Sequence, residues 1–284
     1  MSIAFFGASI TQQKSGYVSC FKQLNSNFII NQFGYGGMNI RDGGIIYIDE
    51  VIRSNPKYCF LDWFSPECYR PPKKIEIYLD VLVEKLLSID CYPIFLFFYR
   101  KDMDRGWFDM FDHLKNYGQK YAINNIDLSK LENASECLRD SIHTNDLGSE
   151  KYGSIINETF HNMIFQKSSL VPEKNRLSRI NSIELGIVAT EHIKIKSSGC
   201  SSIVGVLQQV GPYTDGVICC SGGVEYGVDL KDRWSERYER ETIKFNIGQF
   251  CGELVVKVKV SESKKLVWKK LFYTGDPIEL VEYV

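Results

Sequence analysis

Between Ser2 and about Lys167, short apolar runs alternate with longer segments of helical period, and that alternation most narrows the folds open to this chain. The runs Ile3–Phe6, Phe28–Asn31, Tyr58–Asp62, Pro93–Tyr99 and Tyr121–Asp127 are strand-sized and bounded by Gly, Pro, Asn or Asp. Continuous apolar runs of that length suit parallel strands buried on both faces. In Lys73–Ser88, residues Ile75, Tyr78, Leu79, Leu82, Val83, Leu86 and Leu87 recur at intervals of three and four, a stripe suited to packing on a sheet. A last helix is expected to start near Asn145 or Asp146, residues suited to capping, and to run toward Gln166. The pattern predicts an α/β fold in three layers, with helices on both faces of a five-stranded parallel sheet.

After Lys167 the period changes. Residues 168–180, polar and broken by Pro172, read as a linker between an α/β domain of residues 1–167 and a second domain of residues 181–284. There, alternation of period two dominates, as in Leu254–Val260 and Leu266–Trp268 about the turn Ser261-Glu262-Ser263. This predicts a small antiparallel β-sandwich with a carbohydrate-binding, covering or oligomerising role. Trp234, Tyr238 and Trp268 read as core rather than as a sugar platform, since strands bury aromatics routinely.

Charge excludes one class of partner. Lys plus Arg is 34 against Asp plus Glu 35, so no global positive field holds a phosphate backbone, and nucleic acid is not an expected partner. No apolar stretch approaches the ~20 residues of a membrane-spanning helix, and no membrane partner is expected. Met1 leads straight into Ile3-Ala4-Phe5-Phe6 without a basic segment, which reads as no secretory signal and a cytoplasmic location. The nine cysteines show no zinc-type spacing, so no metal or cofactor is expected. With Cys59, Cys91 and Cys219 in or beside apolar runs and Cys219-Cys220 vicinal, reduced thiols are expected throughout.

Two short segments can carry chemistry. Gly7-Ala8-Ser9-Ile10-Thr11 follows the first strand directly, placing Ser9 past its carboxyl end, where ligands bind in open parallel sheets. A serine nucleophile needs a base, and imidazole is the usual one near neutral pH. His143 has a carboxylate partner three residues earlier, Asp140, able to reach the other ring nitrogen and fix its tautomer. His113 and His161 fall within helix-like segments and His192 on an alternating strand, positions that read as structural or surface.

Taken together, these segments resemble the SGNH (GDSL-type) hydrolases across roughly residues 2–166. Gly7-Ala8-Ser9 stands where the family usually has Gly-Asp-Ser, Gly37 matches the second-block glycine, and Asp140 and His143, continued by Asn145 and Gly148, match the final Asp-x-x-His block. The resemblance implies a flavodoxin-like α/β/α fold, a Ser9–His143–Asp140 triad, and an oxyanion site from the backbone N–H groups of Ser9 and Gly37. One block departs from the family. Where Gly-x-Asn-Asp supplies an asparagine donor to the oxyanion, this chain reads Leu61-Asp62-Trp63-Phe64-Ser65-Pro66-Glu67, and Ser65 or Asn39 is left as a replacement. Trp63, Phe64, Tyr69 and Arg70 after the third strand, and Tyr99 and Arg100 after the fourth, are candidate substrate contacts at the sheet edge.

The implied reaction is serine-dependent hydrolysis of small acyl esters, acetyl-like and on a carbohydrate, through an acyl-enzyme. The same residues serve an O-acyltransferase if a sugar hydroxyl replaces water. A non-catalytic carbohydrate-binding protein on a decayed hydrolase fold is a further reading, favoured by the missing asparagine. A flavodoxin-like nucleotide or flavin binder has little support, because neither a P-loop nor G-x-G-x-x-G follows the first strand. An acylated carbohydrate is the expected partner, with homo-oligomerisation open.

Overall fold

The computed structural model describes residues 1–66, 71–189, 191–211, 217–221, 224–228, 240–244, 247–258 and 266–284. The chain divides into two units, Met1–Asn175 and Arg176–Val284, at a point inside the expected linker.

In the first unit, strands β1 (Ser2–Gly7), β2 (Ile29–Gly34), β3 (Tyr58–Asp62), β4 (Tyr92–Phe97) and β5 (Asn124–Asp127) form a parallel sheet of order β2-β1-β3-β4-β5. Helices α1 (Ser9–Gln12), α2 (Tyr17–Leu24), α3 (Ile45–Arg53), α4 (Pro72–Ser88), α5 (Arg105–Lys120) and α6 (Asp146–His161) connect and follow the strands. Ile3, Ala4, Phe5 and Phe6 of β1 have no exposed surface, which is why this run carries no polar alternation. On one side of the sheet Phe5 stacks on Phe60 at 4.5 Å, and Tyr17, Phe21 and Tyr152 close that layer. Each apolar strand therefore packs against helices, as the alternation in the sequence predicts.

Boundaries moved where tertiary contacts outweighed local signals. The second strand runs to Gly34 rather than Asn31 because its ladder with β1 continues to the pair Gly7 and Gly34. The fifth starts at Asn124 rather than Tyr121, since Tyr121 caps α5 and Ala122 turns with φ +52°. Helix α4 starts at Pro72, a residue whose fixed φ suits the first helical position. Asn145 caps α6, its Oδ1 accepting from the Gly148 N–H at 2.8 Å, and the helix ends at His161, short of Gln166.

The chain reverses its order of strand addition between β1 and β3. In open α/β sheets the crevice beyond the carboxyl ends at such a switch is where ligands bind. Ser9 follows β1, and Asp62 closes β3, so the candidate nucleophile stands at that crevice.

The second unit is antiparallel. Strands β6 (Asn181–Ala189), β7 (His192–Val210), β8 (Val217–Ser221), β9 (Val224–Val228), β10 (Arg240–Lys244), β11 (Ile247–Val258), β12 (Leu266–Gly275) and β13 (Ile278–Tyr283) are hydrogen-bonded in one system. The long strand β7 is shared: its first half pairs with β11 and β13, its second with β12 and β10. One apolar cluster, including Ile195, Ile203, Leu254, Val256, Leu271 and Trp268, forms the core. Trp268 is fully buried and is core, whereas Trp234, Tyr238 and the turn at Ser261–Ser263 lie outside the described residues.

One cysteine expectation is corrected. Cys200 and Cys251 form a disulfide between facing residues of β7 and β11, with Cα atoms 4.2 Å apart. The pairing joins residues 51 positions apart that only strand register brings together, so spacing in the sequence gave no sign of it. Cys59 and Cys91 are buried free thiols, as expected of apolar runs, and burial pushes both thiols up in pKa, that of Cys91 to about 12.

Candidate active site

The site is assembled from three loops at the carboxyl edge of the sheet. In the first, β1 ends at Gly7 and the chain turns into α1, with Ser9 at its first residue. The turn is tight against β3: the Ala8 N–H donates to the Asp62 carbonyl at 3.0 Å. A Cβ on Gly7 would sit 2.6 Å from both the Asp62 carbonyl oxygen and Thr11 Oγ1, so only glycine fits there. Beneath the turn lies a buried polar network. Thr11 Oγ1 donates to Asp62 Oδ2 at 2.9 Å, Ser65 Oγ donates to Asp62 Oδ1 at 3.2 Å, and Tyr17 OH lies 2.8 Å from Thr11 Oγ1. Asp62 has no exposed surface, and burial raises its carboxyl pKa to about 7 despite the two hydroxyl donors.

The second loop spans Leu138 to Thr144, closed at its base by pairing of those two residues and by the Arg139 N–H donating to the His143 carbonyl. Asp140 organises its tip. Its Oδ1 accepts from the N–H groups of Ile142 at 2.9 Å and His143 at 2.7 Å, and its Oδ2 lies 2.8 Å from His143 Nδ1. Partial burial acts to raise the Asp140 pKa, but these hydrogen bonds outweigh it and hold the carboxyl at about 2. Asp140 is thus ionised throughout the neutral range and accepts from Nδ1–H, which leaves Nε2 as the basic nitrogen of a neutral ring. Nε2 lies 2.9 Å from Ser9 Oγ.

Ser9, His143 and Asp140 are therefore within hydrogen-bonding distance in series. That arrangement lets the imidazole take the serine proton while the carboxylate stabilises the resulting cation.

A residue absent from the sequence reading joins the two loops. Gln13 accepts from the Thr144 N–H and from Thr144 Oγ1, both at 3.1 Å through Oε1, and donates through Nε2 to the Thr144 carbonyl at 3.1 Å. Lys14 and Arg139 flank a recess of about 440 Å³ beside this contact, lined also by Asn145 and Asp146. Only the pairing across 131 residues reveals Gln13, since a glutamine after a short helix is unremarkable in the sequence.

The third loop follows β2. Gly37 has φ +72°, a conformation glycine adopts without strain, and Asn39 caps the helical turn Ile40–Gly44 by accepting from the Asp42 N–H at 3.1 Å. That bond fixes the orientation of the Asn39 amide. Its Nδ2 has no hydrogen-bond partner among the described residues, whereas the Ser65 hydroxyl is committed to Asp62 and the side chain is buried.

The aromatic candidates at the rim are corrected. Trp63 and Phe64 are fully buried and line no open surface. Trp63 packs edge-on against Phe6 at 4.9 Å, and Phe64 against Phe95 and Phe97. These contacts with residues of β1 and β4 make Trp63 and Phe64, which directly follow the end of β3, part of the core. Arg100 is likewise engaged by the protein: its guanidinium binds Asp102 through Nε at 2.8 Å and Nη2 at 2.7 Å, donates to the Ser65 carbonyl at 2.7 Å, and lies over Trp107. Tyr99 is partly exposed, and Tyr69 and Arg70 lie outside the described residues. Among the described residues no group of three or more potential ligands is placed to hold a metal, and no helix is long and apolar enough to cross a membrane.

The fold is similar to that of a solved two-domain esterase active on acetylated mannans, co-crystallised with mannopentaose. The TM-score is 0.70 at 11% identity, over 97% of this chain and 92% of that one. This chain has the fold of a two-domain esterase. An acetyl xylan esterase is similar in fold, with a TM-score of 0.50 and 19% identity over 56% of this chain and 99% of that one. A psychrotrophic esterase from Pseudoalteromonas sp. is similar at TM-score 0.50 and 16% identity, over 57% of this chain and 97% of that one. No family model matches the sequence, and no curated protein matches it, so at these identities the likeness is one of fold.

Proposed function

We propose that the protein is a serine-dependent esterase that removes small acyl groups, acetyl above all, from a carbohydrate. The observation that carries this reading is the series Asp140, His143 and Ser9, with contacts of 2.8 and 2.9 Å at the carboxyl edge of the sheet. Ser9 Oγ attacks the ester carbonyl as His143 Nε2 takes its proton. The tetrahedral intermediate collapses to an acyl-Ser9 as the protonated imidazole returns that proton to the leaving alcohol. Water, deprotonated by the same nitrogen, then releases the acid. The oxyanion is held by the N–H groups of Ser9 and Gly37 and by Asn39 Nδ2 in place of the family's asparagine.

An acetylated glycan as substrate is favoured by the fold shared with an esterase active on acetylated mannans. The polar recess between Lys14 and Arg139 offers room beside the nucleophile loop for a sugar. A disulfide persists in oxidising compartments, so Cys200–Cys251 favours an extracytoplasmic location over the cytoplasmic one that the sequence suggests.

Turnover of p-nitrophenyl acetate tests the reading. Ser9→Ala and His143→Ala are expected to lower kcat by about 10⁴-fold or more, and Asp140→Asn by a comparable or smaller factor. Activity unaltered by Ser9→Ala would sink the mechanism. Supplying acceptor sugars then separates free acetate from acyl-sugar, and so hydrolysis from transfer.

A further inference from the structure

We infer that Gln13 is a positioning residue, the clip that sets the distance between the nucleophile and its base. The inference rests on the esterase reading for its kinetic arm but not for its structural one. Asp140 and His143 belong to one self-closed loop, and their contact is local, so folding of that loop secures it without help from elsewhere. Ser9 belongs to a separate element. Helix α1 is a single turn, too short to be stable by itself, and the serine rides on it.

Among the described residues, the hydrogen bonds joining residues 9–13 to residues 138–144 are the Ser9–His143 contact and the three between Gln13 and Thr144. Thr144 adjoins His143, so the amide of Gln13 grips the histidine loop one residue from the imidazole. Its orientation is dictated by its partners: a backbone N–H can only donate and a carbonyl can only accept, so Oε1 must face the Thr144 N–H and Nε2 its carbonyl. The side chain thus completes a two-bond ladder of the kind strands make, with the Thr144 hydroxyl as a third arm. Thr144 is in turn fixed from behind, its Oγ1 lying 2.9 Å from Ser149 Oγ in α6. On the other side, Gln32 Nε2 donates to the carbonyl oxygens of Thr11 at 2.6 Å and Gln13 at 3.3 Å, pinning the end of α1 to β2. The clip is therefore anchored at both ends in the sheet and its helices, and the reacting pair lies between the two anchors.

Reaction rates respond to placement of this kind. A misplacement of about 1 Å by a change away from the chemistry costs on the order of 100-fold. Gln13→Met keeps the length and bulk of the side chain and removes all three hydrogen bonds, which separates gripping from space filling.

With p-nitrophenyl acetate, Gln13→Met is expected to lower kcat by about 10- to 100-fold with KM within about twofold. The second measurement is the ¹⁵N resonances of His143. In Gln13→Met the Nε2 signal is expected to move toward its position in Ser9→Ala, reporting loss of the serine hydrogen bond, while Nδ1, held by Asp140, stays put. A general loss of structure would instead shift both nitrogens and lower the melting temperature broadly. An Nε2 signal that stays at the wild-type position in Gln13→Met overturns the inference, whatever happens to kcat. If Ser9→Ala leaves wild-type turnover intact, the esterase reading fails, and the Nε2 comparison still decides the role of Gln13.

Discussion

Ser9 Oγ and His143 Nε2 lie 2.9 Å apart across 134 residues of chain, and neither reaches the other through a local turn. One is delivered by the first strand of the sheet and the other by the loop before its last helix. The contact exists because β1 and the start of α6 converge at the same edge. Around it, the neighbouring side chains hold distinct positions, and each position has a measurable consequence.

Asn39 is expected to matter to catalysis and Ser65 to stability. Asn39→Asp keeps the oxygen that caps the Asp42 N–H but replaces the donating Nδ2 with a negative oxygen. Loss of one oxyanion donor lowers kcat by about 100- to 1,000-fold, and this variant should fall in or beyond that range with its melting temperature little changed. Ser65→Ala removes a hydroxyl from Asp62, costing about 1 kcal/mol of stability and leaving kcat within about threefold. Steady-state kinetics beside thermal melts distinguish the two, and the opposite assignment would follow from a reversed pattern.

Asp62 should make the protein less stable as pH rises. Its folded pKa, about 7, lies above the value in the unfolded chain, so the folded state binds the proton more tightly. Between about pH 4 and pH 7 the folded form holds a proton that the unfolded form has released, and stability falls through that window. The full effect is on the order of 4 kcal/mol. Asp62→Asn removes this titration, so its urea-unfolding free energy should lack the decline that wild type shows between those pH values. Parallel profiles for the two proteins would show that the carboxyl is ionised in the fold at little cost.

Trp63 is expected to support the fold and not the substrate. It is buried against Phe6 and lies 6.4 Å from Tyr35, ring centre to ring centre. Trp63→Phe should lower the melting temperature in keeping with a loss of roughly 1–3 kcal/mol, while KM measured well below that temperature stays within about twofold. A large rise in KM with unchanged melting would restore it to the substrate rim.

The Cys200–Cys251 bond should stabilise the β-rich unit. It closes a loop of about 50 residues, and removal of a disulfide of that span typically costs 2–4 kcal/mol. Cys200→Ser is expected to lower the calorimetric transition of that unit, and non-reducing peptide mapping should recover the two cysteines as one linked fragment. Recovery of both as free thiols from oxidatively expressed protein would contradict the pairing.

Much of the first unit was legible in the sequence because its signals are local. Buried parallel strands announce themselves as apolar runs, helix α4 as a stripe, and Asp140-x-x-His143 places a carboxylate beside an imidazole within a single turn. Ser9 was legible for the same reason, standing just beyond an apolar run that could only be a strand. The α/β/α fold and the separate antiparallel unit follow from such periods, since each element must bury the face its sequence makes apolar. Tertiary structure alone decided what depends on register and on the path of loops. It put Trp63 and Phe64 inside, paired Cys200 with Cys251, left Asp62 in a buried network that favours its neutral form, and set Gln13 against Thr144. None of these has a period or a spacing to be read. A hydrogen bond or a disulfide between distant residues depends on where two separately folded segments come to rest, and that is fixed by packing of the whole sheet and its helices.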